Sequence, residues 1–65
     1  MEDKTAGGIN ITRQGMIDTV WINGVACLWT LNCGALGINF TFSDEALREA
    51  FAEYLRWRRL NPPAL

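Results

Sequence analysis

Apolar residues alternate with polar or small ones through much of residues 9–42, then recur at every third or fourth position between Leu47 and Leu55. The first period is that of half-buried strands and the second that of an amphipathic helix. Asn23-Gly24 lies between two alternating runs, and both residues tolerate the positive φ that a two-residue hairpin loop demands. Such a loop pairs Ile22 with Val25, Val20 with Cys27, Asp18 with Trp29 and Met16 with Leu31 on one face, the inner one. A second two-residue loop at Cys33-Gly34 pairs Leu31 with Leu36, Trp29 with Ile38, Cys27 with Phe40 and Val25 with Phe42 on the same face. The two turns agree on the faces, which a slip of one residue would exchange. Upstream, a Gln14-Gly15 turn pairs Arg13 with Met16, Ile11 with Asp18 and Ile9 with Val20.

The helix follows the sheet. Ser43 can accept a hydrogen bond from a free backbone N–H, and Asp44 and Glu45 bring negative charge to the first turn. Arg56, Arg58 and Arg59 bring positive charge to the last. Asn61-Pro62-Pro63 ends the helix, since proline has no amide hydrogen. Leu47, Ala50, Phe51, Tyr54 and Leu55 form one stripe, with Trp57 at its margin, and the inner sheet face is its partner. The pattern predicts one α+β domain over 1–65. It is an antiparallel meander of three to four strands (about 9–13, 16–22, 25–32 and 35–42) with one C-terminal helix (about 44–60) packed on one face. Residues 1–8, with Gly7-Gly8, read as a flexible lead-in and 61–65 as a tail.

A chain of 65 residues buries only about 60% of its unfolded surface, so there is room for one sheet and one helix layer. No apolar stretch approaches the roughly 20 residues of a membrane span, and the charged opening MEDKTAGG does not read as a secretory signal. The expectation is a soluble protein of the host cell cytosol. Cys27 and Cys33 lie too far apart along an extended strand to form a disulfide, so both are expected as free thiols. Without histidine, two cysteines do not make a zinc site, and neither metal nor cofactor is expected.

The absence of histidine also removes the Ser-His and Cys-His arrangements, and no two carboxylates converge on a pocket. No catalytic residue is assigned, and the chain is read as a non-enzyme. Asp18 is the carboxylate placed on the apolar side. A buried charge is costly without a partner, and Arg58, on the helix stripe, is predicted to supply it. Gly37 falls on the outer face, where it relieves crowding beside Thr30.

Two surfaces remain as candidate partner-binding sites. The outer face carries Ile17, Thr19, Trp21, Ala26, Leu28, Thr30, Asn39 and Thr41, with Ile17, Trp21 and Leu28 as its apolar contact residues. The register places no Lys or Arg there, and the net charge is −1. Both argue against direct nucleic-acid binding, which needs positive charge to hold phosphates. Glu45, Glu49 and Glu53 recur every four residues along the solvent side of the helix. They form a negative stripe that could dock on a basic surface such as a nucleic-acid channel.

In size, single compact domain, mild acidity and lack of a catalytic constellation the chain resembles the very small anti-CRISPR proteins of phages and mobile elements. The segment MEDKTAGGINITRQGMIDTVWINGVACLWTLNCG is similar to an inhibitor of a type I system. That resemblance implies a stoichiometric inhibitor that binds a subunit of a Cascade-type CRISPR-Cas effector complex and prevents target DNA recognition by steric and electrostatic occlusion. Those proteins share no common signature or fold, so the resemblance assigns no residue a role. The alternative is a small structural or assembly subunit that self-associates, as a homodimer or larger particle, through its outer sheet face.

Overall fold

The computed structural model describes residues 8–31 and 34–63. Four strands, β1 (Ile9–Gln14), β2 (Ile17–Ile22), β3 (Val25–Leu31) and β4 (Leu36–Ile38), form one antiparallel sheet in the order β1-β2-β3-β4, and helix α1 (Asp44–Leu60) follows. This is an α+β fold, a four-stranded meander with one C-terminal helix. Among the described residues no helix is long and apolar enough to cross a membrane. Most of the predicted lead-in, Cys33 and the last two residues of the tail lie outside the described residues.

Asn23 and Gly24, with φ of 51° and 82°, form the β2–β3 hairpin turn and pair Ile22 with Val25. The register then departs from strict alternation. A β-bulge sets Val20 opposite Leu28 rather than Cys27, and the shift carries on to pair Thr19 with Trp29, Asp18 with Thr30 and Ile17 with Leu31. One extra residue on β3 thus exchanges the faces of the rest of that strand. Leu28 is buried at 3% exposure and belongs to the core, not to the outer face, while Trp29 stands on the outer face at 39%. Thr30 moves inside, where its hydroxyl and that of Tyr54 lie 3.2 Å apart in a hydrogen bond.

The other two connections also differ from the two-residue loops read from the sequence. Gln14 pairs with Ile17, so the β1–β2 loop is Gly15-Met16. Gly15 takes the positive φ, 60°, at the first loop position, as a type II′ turn requires. The shift is by two residues, which preserves the faces and brings Arg13 directly opposite Asp18. The β3–β4 connection is one residue longer than a two-residue loop, Leu31 N–H donating to the Ala35 carbonyl at 3.0 Å, and Leu36 faces Thr30 instead of Leu31.

β4 ends at Ile38 instead of continuing to residue 42. Asn39 diverts the chain: its side-chain amide donates to the Ala26 carbonyl at 2.9 Å and its side-chain oxygen accepts from the Thr41 N–H and hydroxyl. This local turn replaces further strand pairing. Phe40 is left 80% exposed instead of opposing Cys27, while Phe42 packs against the core.

The core joins Ile9, Val20, Cys27 and Leu28 of the sheet to Ala50 and Tyr54 of α1, with Ile11, Ile22, Leu47 and Trp57 packed around them. Cys27 is a buried free thiol whose pKa burial pushes up. Two members of the predicted stripe, Phe51 and Leu55, remain exposed. At 100° per residue they sit on the flank of the helix away from Trp57, which lies against β1 through its contact with Arg13. On that far flank the sheet narrows to the three residues of β4 and offers less surface to cover them.

Candidate functional site

Asp18 is fully buried, as its place on the inner face requires, but its partner is Arg13 rather than Arg58. Directly opposed across β1 and β2, the two side chains form a two-pronged ion pair, Arg13 Nε to Oδ1 at 2.6 Å and Nη2 to Oδ2 at 3.0 Å. The Tyr54 hydroxyl donates to the same Oδ2 at 2.7 Å. Hydrogen bonding to Arg13 holds the Asp18 carboxyl below the ordinary carboxylate range, against the opposing cost of burial. The Tyr54 hydrogen bond and the more distant charge of Arg58 lower it further. Burial raises the phenol of Tyr54, so it stays protonated and donates.

Arg13 does more than neutralise Asp18. Its guanidinium carbon lies 4.9 Å from the centre of the Trp57 ring, Nη1 donates to the Pro62 carbonyl at 3.1 Å, and Trp57 stacks on Tyr54 with ring centres 6.0 Å apart. The cluster therefore fastens β1, β2, β3 and the C-terminal half of α1 to one another. Its polar groups are committed among themselves, the arrangement of a structural pin. Among the described residues no group of three His, Cys, Asp or Glu side chains gathers as a metal site would require.

The outer sheet face has a different character. The register assigns to it Asn10, Thr12 and Gln14 from β1, Ile17, Thr19 and Trp21 from β2, Ala26, Trp29 and Leu31 from β3, and Gly37 from β4. None is ionisable. Every charged side chain among the described residues other than the Arg13–Asp18 pair belongs to α1. Trp21 is half-buried, its indole N–H donating to the Thr12 hydroxyl at 2.9 Å. Ile17, at 45% exposure, joins Trp29, Leu31, Ala35 and Leu36 around a shallow groove of about 330 Å³.

Of the candidate contact residues, the structure thus keeps Ile17 and Trp21 on this face, removes Leu28 to the core and adds Trp29 and Leu31. Gly37 was the available sign: a side chain there would occupy the space of the Trp29 indole, which lies over it. The acidic stripe is uneven. Glu45 and Glu49 are exposed, while Glu53 is partly buried and ion-paired with Arg56 at 2.5 Å. Helix and outer face lie on opposite sides of the sheet, so the stripe and the apolar groove do not form one site. Neither a protein-family model, nor a curated protein, nor a solved structure matches this chain.

Proposed function

We propose that the chain is a non-enzymatic protein-binding inhibitor of the anti-CRISPR kind, docking its outer sheet face on a subunit of a type I effector complex and blocking recognition of target DNA. The observation that supports this reading is the absence of charge from that face, with Ile17, Trp29 and Leu31 as an apolar cluster toward one end and Asn10, Thr12 and Gln14 along its β1 side. Depletion of charge around aromatic and aliphatic anchors is the composition of the buried part of protein interfaces. A phosphate backbone finds no cation on it. With the sheet docked, α1 points away from the target and presents Asp44, Glu45 and Glu49 to an approaching strand. The body of the protein supplies the block and this charge adds to it.

The test is capture of purified type I effector complexes by the tagged protein, with target DNA binding measured alongside. Wild type binds and abolishes DNA recognition, whereas Ile17→Lys, at an exposed position, keeps the fold and loses both effects. Failure to bind any such complex ends this reading. The same charge-free face also favours self-association, because a twofold contact through it opposes no like charges. A doubled mass in solution that Ile17→Lys abolishes, without effector binding, selects that second reading.

A further inference from the structure

The outer face is small for a partner. Six residues of β2 at about 3.3 Å each and three strand spacings of about 4.8 Å give roughly 300 Å² in plan, and even with the relief of its side chains added this falls short of the accessible surface, about 800 Å², that a stable complex covers per partner. The remaining contact must come from surface continuous with the face, and the β1 edge is that surface.

Among the described residues β1 lies at the edge of the sheet. Asn23 N–H donates to the Gly8 carbonyl at 3.2 Å, which marks Gly8–Asn23 as a hydrogen-bonded pair. Alternation along an antiparallel ladder then makes Asn10–Trp21 and Thr12–Thr19 bonded pairs as well. The N–H and C=O groups of Ile11 and Arg13 consequently point away from β2. Exposed edges are ordinarily blunted by shortness, bulges, proline or free charge. β4 is blunted by its three residues, but β1 has six, with no bulge and no proline, and its one charge is spent on Asp18 and Pro62. Alongside runs a groove of about 350 Å³ between β1 and the C-terminal half of α1. Ile9, Ile11, Trp57 and Leu60 give it apolar walls, and Glu53 and Arg56 neutralise each other at its margin.

We infer that β1 accepts an extended segment of the partner protein as a fifth strand, hydrogen-bonded to Ile11 and Arg13, with uncharged apolar side chains at alternate positions entering the groove under Trp57 and Leu60. The strand edge supplies affinity through backbone bonds, and the groove selects every second side chain. The added strand extends the charge-free face, so the inference deepens the proposed function and rests on it for the identity of the partner alone.

The experiment uses the whole chain and a displayed library of seven-residue peptides with Val, Ile, Leu or Phe at alternate positions. Backbone amide exchange is followed by NMR with an enriched peptide. In the free protein the Ile11 and Arg13 amides exchange fast. With peptide bound they slow by about tenfold or more while Thr12 is unchanged, and Leu60→Glu, at a site 82% exposed, weakens binding at least about tenfold without altering the fold. Slow exchange already present in the free monomer means that the chain covers its own edge. Slow exchange that grows with concentration and mass means that a second copy does. Either result overturns the inference, as does a library from which nothing is enriched. Effector capture is measured separately, so loss of the anti-CRISPR reading with peptide binding intact is distinguishable from the reverse.

Discussion

A side chain at position 37 has no room while the Trp29 indole lies across it, and this pair keeps Trp29 on the outer face beside Trp21. A methyl group there must displace the indole, because backbone on both sides is held by the β3–β4 ladder. Gly37→Ala is therefore expected to cost about 1–3 kcal/mol, the usual penalty for overpacking, and to change Trp29 fluorescence. In a Trp29→Ala background the same Gly37→Ala change should cost little in urea unfolding. If its cost there is undiminished, the clash is not the cause. The same positions explain where pattern reading stopped. The Asn23-Gly24 turn was legible because the backbone it requires suits those residues and few others. The bulge was not, since Cys27 and Leu28 are both apolar and an alternation count cannot tell which of them opposes Val20. Asp18 was rightly read as buried, but its partner depended on a loop displaced by one residue, which shifts the β1–β2 register by two.

At the scale of elements, α1 was the most legible part because its end signals are chemical rather than periodic. The Ser43 hydroxyl oxygen accepts from Ala46 N–H at 3.1 Å, and at the other end the Asn61 side-chain amide donates to the Trp57 carbonyl at 2.8 Å. Ser43→Ala is expected to lose about 1 kcal/mol and Ser43→Asp to retain it, since either oxygen can accept the bond. In a domain of this size that difference lowers Tm by about 4–8 °C, within reach of a thermal melt followed at 222 nm; equal melting of the two variants would show the cap to be idle. Which residues of the helix stripe are buried was less legible. Phe51 and Leu55 have the right spacing, but the width of sheet beneath them depends on where β4 stops, and Asn39 decides that through hydrogen bonds distant from the helix.

For the molecule as a whole, the Arg13–Asp18–Tyr54 cluster makes stability a function of pH with two limbs. The folded state lowers the pKa of Asp18 from its unfolded value of about 3.9. Its contribution is thus present above that value and is lost as pH falls through the lower folded one. Tyr54 has the opposite sign. Its pKa is raised on folding, so its contribution is complete below about 10 and is lost as pH rises through the folded value. The buried Cys27 thiol, also raised, starts the alkaline decline near 8.5. Unfolding free energy measured in urea across this range should form a plateau from roughly pH 5 to pH 8. Asp18→Asn should lower the plateau, because a neutral amide cannot hold the guanidinium equally well, and should flatten the acid limb and soften the alkaline one, since the Asp18 carboxylate is part of what raises the Tyr54 phenol. Tyr54→Phe should leave the acid limb in place but shallower, the carboxylate having lost one donor, and should reduce the alkaline one. An acid limb of unchanged slope in Asp18→Asn would show that Asp18 is not its source, and the pin between sheet and helix would then rest on the packing of Trp57, Tyr54 and Val20 more than on charge.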